Sequence, residues 1–300
     1  MTRVTDLLDS LEPLDPLGPR GGVPVLPGGG ADPGEPTVVI LPDPDAVAAT
    51  AADRIVESLA QAVERRGRAD VALTGGSTPP AIYRRLVAPD LRDRVPWDRV
   101  HLWWGDDRYV PRDHPLSNVL PADETLLAEG AGVPIPLPMD HVHPFPTGRA
   151  IAEGLGAGWC AATYGAQVAA ALPSVGGWPA FDLVLVGIGG DGHLLSVFPG
   201  SEALASDRVA LSIPAPGHIE PHVPRVTLNP AILGVAGRVL AMAAGAGKAD
   251  VVARILDGPR DPAALPASLA RRTTATWLLD AAAASRRQHP ERPRPLPGPR

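Results

Sequence analysis

Short unbroken apolar runs alternate along this chain with longer stretches of helical spacing. Thr37–Leu41 reads as a first strand. From Asp45 to Arg66, Val47, Ala51, Ile55, Leu59 and Val63 share one helical face, and Asp43 or Asp45 is placed to cap the start. Asp70–Thr74 and Val100–Gly105 repeat the strand pattern on either side of a helix at Ala81–Leu86. A helix is expected after Asn118 to about Ala128, and an Ala-rich one over Ala150–Leu172, broken early by Gly154, Gly156 and Gly158. Leu183–Val186 is a run of Val and Leu suited to a strand buried on both faces of a parallel sheet. Asp207–Ile213 and Arg238–Gly245 are further strands, and Arg225–Pro230 leads to a short helix. Ala249–Leu256 is helical, and a late helix at Leu265–Leu269 precedes a last strand beginning at Ala275. Strands alternating with helices predict an α/β fold, a three-layer Rossmann-like domain on a mostly parallel sheet.

In such a sheet the carboxyl ends of parallel strands share one edge, where ligands bind. Four predicted strand ends carry polar groups there. After Leu183–Val186, Gly187, Gly189, Gly190 and Gly192 surround Asp191 and His193, placing a titratable imidazole in a turn that a ligand can approach. Gly187-x-Gly189-x-x-Gly192 matches a dinucleotide fingerprint in form, but Pro199 and Gly200 follow too soon for its helix, and no ribose-binding acid sits about twenty residues on. After Asp70–Thr74 come Gly75, Gly76, Ser77, Thr78 and Pro79, a glycine turn with a hydroxyl cap and a proline in the first helical turn. That arrangement is either an ordinary capped βα turn or an anion site built from free amides and hydroxyls. After Val100–Gly105, Arg108 lies among Asp106 and Asp107, either as a solvated ion pair or as a fixed guanidinium for a phosphate or oxyanion. Lys248 follows Gly245 at the last of these ends. It is the single Lys against 26 Arg, which suits a site needing a compact point charge. His141 and His143 have no third ligand nearby and read as surface-loop residues, so no metal is assigned.

Composition narrows the function classes. The 300 residues are 45% hydrophobic and 20% charged, with a formal charge of −6, which disfavours nucleic acid as a partner. No apolar run is long enough for a membrane span, and the first residues lack a signal-peptide core. One cysteine, Cys160, suits a cytoplasmic protein. Residues 1–36, rich in Pro and Gly, are expected to be a disordered extension. Residues 37–284 form the domain, and 285–300 read as a disordered tail.

Taken together, these blocks resemble the 6-phosphogluconolactonase family over roughly residues 37–284. The matching stretches are Gly75–Pro79, Asp106–Pro111 (with Asp107 where the family has Glu), Asp113 with Ser117–Asn118, Gly187–Gly200, Arg225–Leu228 and Gly245–Lys248. Leu194–Leu195 departs from the smaller or polar pair common there. The resemblance implies a phosphosugar-isomerase-like fold and hydrolysis of 6-phospho-D-glucono-1,5-lactone in the oxidative pentose phosphate pathway, without metal or cofactor. It implies His193, Asp191 and Arg108 as catalytic residues, and Gly75, Gly76, Ser77, Thr78, Asp106, Arg108 and Lys248 as the substrate and phosphate site. Spacing leaves open whether Arg108 or Lys248 meets the phosphate. The expected partner is the phosphosugar lactone alone, on a monomer or weak homo-oligomer. Two other readings belong to the same fold. A glucosamine-6-phosphate deaminase-like isomerase differs in having Ala-Phe-Asn-Glu-Pro where this chain reads Ser196-Val-Phe-Pro-Gly. A sugar-phosphate-sensing module needs a DNA-binding segment, which the first 36 residues do not resemble.

Overall fold

The computed structural model describes residues 34–127 and 135–288. A seven-stranded sheet forms its centre, with every neighbouring pair parallel. The strands are labelled in chain order as β1 (Thr37–Leu41), β2 (Ala69–Leu73), β3 (Val100–Trp104), β4 (Asp106–Arg108), β5 (Val142–His143), β6 (Ser174–Val175), β7 (Trp178–Pro179), β8 (Leu183–Gly187), β9 (Ala210–Ile213), β10 (Arg225–Leu228), β11 (Arg238–Ala243) and β12 (Ala275–Asp280). The longer helices are α1 (Pro44–Arg66), α2 (Pro79–Leu86), α3 (Gly156–Ala171) and α4 (Ala249–Asp257).

The central sheet runs β1-β12-β11-β8-β2-β3-β5. From β2 the chain steps outward through β3 to β5. It then returns to the other side of β2 as β8 and steps outward the opposite way. The strand order therefore reverses between β2 and β8, and the crevice beyond their carboxyl ends is where such sheets take ligands. β8 is nearly all buried, which explains its unbroken apolar sequence, and β2 is buried throughout, its one charged residue Asp70 included. α1 buries Val47, Ala51, Ile55 and Leu59 as its spacing predicts. Asp43 is its cap, accepting from the Ala46 amide at 2.8 Å.

Gly105 turns the chain out of the main sheet. Its amide donates to the Leu73 carbonyl, and its own carbonyl accepts from the Leu228 amide. A Cβ at Gly105 would meet the Leu195 side chain at 2.7 Å, so glycine leaves that side chain its place. β4 then pairs with β10, and β10 with β9, in an antiparallel three-stranded sheet beside the crevice.

Several expectations are corrected. Arg225–Leu228 is a strand, because it pairs with β4 on one side and with β9 on the other, and only a 3₁₀ turn at Pro230–Gly234 follows. The helix expected after Asn118 is one turn at Leu120–Ala122 followed by a wider turn at Asp123–Leu127. Its expected end at Ala128 lies outside the described residues. The break expected early in the Ala-rich stretch is observed, though the first helix starts sooner: Thr147–Ala152 and α3 are separate, with Gly154 at positive φ between them and Gly156, also at positive φ, opening α3. The late helix is a 3₁₀ segment, Pro266–Ala270. His141 and His143 are not loop residues free of packing: His143 lies in edge strand β5, stacked on Trp103, and His141 stacks on His101. The expected disorder of the terminal extensions falls on residues 1–33 and 289–300, outside the described residues. The adjoining residues make contacts: Glu35 pairs with Arg271 at 2.6 Å, and Arg287 with Asp257 at 2.8 Å.

Candidate active site

A cavity of about 210 Å³ opens at the crevice between β2 and β8. Thr74–Pro79, Asp106, Arg108, Asn118, Gly187–Gly190, His193, Arg225 and Lys248 contribute to its wall. Thus all four strand ends singled out by sequence meet at one place. Gly75, Gly76, Ser77, Thr78, Asp106, Arg108, His193 and Lys248 line it, while Asp191 stands behind His193.

The imidazole is held by its own turn. Oδ1 of Asp191 accepts from the His193 backbone amide at 3.0 Å and lies 2.5 Å from its Nδ1. A carboxylate can only accept, so Nδ1 carries the proton and Nε2 is left as the basic nitrogen. The turn needs its glycines for steric reasons. A Cβ at Gly189 would sit 2.1 Å from Nδ1 of His193, and Gly192 has φ +94°. Burial alone would push the Asp191 carboxyl up, but the hydrogen bonds and charge of His193, with a bond from His218, hold it well below the usual carboxylate range. Phe198 packs beside the His193 ring at 4.8 Å. Leu195, half of the pair departing from the resembled pattern, lines the cavity with φ +52° and is buried.

Opposite lies the turn after β2. The hydroxyl cap expected for α2 is absent: Thr78 takes a helical conformation and makes no side-chain cap bond. Its hydroxyl and that of Ser77 are therefore available to a ligand, whereas α2 itself offers no free first amides: Pro79 and Pro80 have no N–H, and the Ala81 and Ile82 amides donate to the Thr78 carbonyl. Gly75 is required by Asn118, since a Cβ there would stand 1.8 Å from Oδ1 of that side chain.

Asn118 ties this turn to β4. It donates through Nδ2 to the Asp106 carbonyl at 2.9 Å and accepts a hydrogen bond from Nη1 of Arg108. Asp107 organises the loop from below, accepting from the amides of Asn118 and Arg108 and from the Ser117 hydroxyl. Burial pushes the Asp107 carboxyl up to about 7 against those bonds. Asp106 is buried and accepts from the Ser196 hydroxyl at 2.6 Å.

Three cations face the cavity. Arg108 and Arg225 are register partners across β4 and β10, and each has a buried Nε with no hydrogen-bond partner among the described residues. Burial, then the like charge of Arg108, lowers the Arg225 guanidinium from its ordinary value. Lys248 makes no ion pair among the described residues, and burial lowers its ammonium, with Asp191 opposing. Cations left unpaired at a desolvated wall are a place for an anion.

Arg225 and His218 were not singled out for the site by sequence reasoning. Arg225 sat inside a matched run, and its strand alternation was the usable signal. No spacing signalled His218, whose contact with Asp191 depends on a loop path.

A profile described as glucosamine-6-phosphate isomerases/6-phosphogluconolactonase matches residues 42–278. The 6-phosphogluconolactonases of Nostoc sp. and Mycobacterium tuberculosis are each 35% identical, over 253 and 255 residues. These alignments cover 82% and 83% of this chain and 96% and 98% of those proteins. The solved 6-phosphogluconolactonase of Trypanosoma brucei superposes with a TM-score of 0.72 at 33% identity, covering 84% of this chain and 98% of that one. On matches of this length and identity, laid over an Asp–His turn and an anion-ready turn at one sheet edge, the chain belongs to the family of glucosamine-6-phosphate isomerases and 6-phosphogluconolactonases.

Proposed function

We propose that this chain hydrolyses 6-phospho-D-glucono-1,5-lactone to 6-phospho-D-gluconate, with His193 as general base. The observation that carries this reading is the pairing of Nδ1 of His193 with Asp191, which frees Nε2 toward a cavity walled by three cations. The long matches to 6-phosphogluconolactonases support the substrate. So does Ser196-Val-Phe-Pro-Gly, which lacks the acid of the isomerase-type loop.

The chemistry follows from the groups present. Nε2 of His193 takes a proton from water as its oxygen attacks the lactone carbonyl carbon. The carbonyl oxygen gains the negative charge, and the guanidinium of Arg108 stabilises it. On collapse the bond from that carbon to the ring oxygen breaks. The imidazolium returns its proton to the ring oxygen, leaving an acid and an alcohol. Such acid–base help is worth roughly 10²–10⁴-fold. Asp191 keeps the imidazole in the productive tautomer and offsets its transient charge. The Gly76–Thr78 amides and hydroxyls, with Lys248, hold the phosphate, so that binding at the far end positions the carbonyl. Arg225 lies over Phe198, which packs on His193, and this supports placing the paired Arg108 and Arg225 toward the acyl end. Asp106 holds Ser196 and Asn118 in place and reaches the substrate only at the wall. No helix among the described residues is long and apolar enough to cross a membrane, and a cytoplasmic monomer or weak homo-oligomer fits this reading.

The test is proton release from freshly generated lactone, with the spontaneous rate subtracted, beside an assay of ammonia release from glucosamine 6-phosphate. Acceleration of the first and none of the second is expected. The reverse would replace the lactonase reading with the isomerase one.

A further inference from the structure

We infer that His218 is a positioning residue for hydrolysis, acting through Asp191. This rests on the lactonase reading above. The loop between β9 and β10 brings Nε2 of His218 to 2.9 Å from Oδ2 of Asp191, while Oδ1 of the same carboxylate serves His193. The carboxylate therefore bridges two imidazoles from separate elements, and Nε2 of His218 must be the donor.

The need for a second hold on Asp191 lies in its own turn. Asp191 is flanked by Gly190 and Gly192, at neither of which a side chain restrains the backbone. Backbone bonds fix the turn, from the Gly189 amide to the His193 carbonyl and from the Ala267 amide to the Gly192 carbonyl, but none of them holds the second oxygen of the Asp191 carboxylate. His218 supplies that hold from a loop that is itself fixed. Ile219, its neighbour, packs against the small apolar cluster of Val197, Phe198, Ala203, Leu211 and Ile213 and also lines the cavity. His222 is held by the Pro216 carbonyl at 2.7 Å, and the Tyr109 amide donates to the Pro224 carbonyl. The rings of His193 and His218 both rest on Phe198, at 4.8 and 5.5 Å. His218 is the outermost member, half exposed, and it does not line the cavity. It touches the Asp191 carboxylate and reaches the reacting atoms only through His193.

The experiment compares wild type, His218→Ala and His218→Gln, alone and in the Asp191→Ala background, for kcat and KM on the lactone. His218→Ala should lower kcat about 3–10-fold, the net worth of one hydrogen bond, with KM unchanged. His218→Gln should restore most of the loss, since its amide donates from a similar position. In the Asp191→Ala background His218→Ala should change nothing further. The proton NMR signal of the short Nδ1–Oδ1 bond of His193 reports the same contact without turnover, and it should move or broaden in His218→Ala. A full kcat with an unmoved signal would overturn the inference, as would an undiminished loss in the Asp191→Ala background. Should His218→Ala not fold, the comparison passes to His218→Gln against His218→Met, which differ in the donor. If wild type proves inactive on the lactone, the lactonase reading fails, and the NMR comparison alone decides the positioning of Asp191.

Discussion

The two edges of the central sheet both bury charge, and they treat it in opposite ways. At the amino edge Asp70 is fully buried, yet every claim on it is met within the chain. Arg68 grips its carboxylate with two bonds of 2.9 and 2.6 Å, Arg66 adds a third, and Trp103 donates from Nε1 at 3.0 Å. Asp182 closes the network with Arg66 at 2.5 Å. Beside it His101 stacks on His141 and on His143, and His143 stacks on Trp103. At the carboxyl edge Arg108 and Arg225 keep unpartnered Nε atoms and Lys248 has no counter-ion among the described residues. A satisfied network of charges fixes a structure. An unsatisfied one is completed by what it binds.

That contrast can be broken by substitution. Among the three cations of the carboxyl edge the largest effect is expected from Arg108→Ala, which removes the charge proposed to stabilise the oxyanion. Turnover should fall roughly 10²–10³-fold, as for loss of an oxyanion donor, with little change in melting temperature. A melting temperature that falls while kcat holds would make Arg108 a structural residue. The mirror experiment is Asp70→Ala. It strands Arg68 and the Trp103 indole, while Arg66 keeps Asp182, so stability should drop by roughly 2–4 kcal/mol in denaturant unfolding. The kcat of the folded fraction should stay intact, and a kcat loss would join the two edges functionally.

Lys248→Ala sharpens the comparison within the working edge. KM for the lactone should rise about 10-fold or more, as for a lost charge-assisted contact to phosphate, while stability holds or improves slightly. An unchanged KM would move the phosphate elsewhere along the cavity wall. The smallest effect concerns pH. Burial, with Arg68 and neighbouring imidazoles, lowers His101 to about 4, and burial with Arg68 lowers His143 to about 4. Both are depressed below the unfolded value of about 6.5, so the folded state binds fewer protons. Their contribution is complete above about pH 6.5 and is lost as pH falls toward 4. His101→Phe should flatten the decline of melting temperature over that window, and an unaltered slope would show that these rings do not carry it.

Much of this was legible in the sequence where local chemistry alone decides structure. The buried strand at Leu183–Gly187, the face of α1 and the four polar strand ends needed only periodicity and glycine placement. The small antiparallel sheet was not legible. Arg225–Leu228 reads ambiguously because its strand depends on pairing with Asp106–Arg108, more than a hundred residues away. The absent cap at Thr78 was hidden for a related reason, because only backbone conformation tells a capping hydroxyl from a free one. His141 and His143 looked like loop residues since their packing partners, His101 and Trp103, lie on another strand. Asp106, assigned to the substrate by motif, spends its carboxylate on Ser196 and Asn118. His218 carries no local mark and reaches Asp191 only through tertiary structure.

The most direct measurement is the steady-state rate of His193→Ala beside wild type on freshly generated 6-phosphogluconolactone, with 6-phosphogluconate binding measured on both. If His193 is the general base, kcat falls by roughly 10²–10⁴-fold in the variant, with product binding nearly unchanged. Equal turnover by the two proteins would contradict that role, and would move the proton transfer to another group at the carboxyl edge.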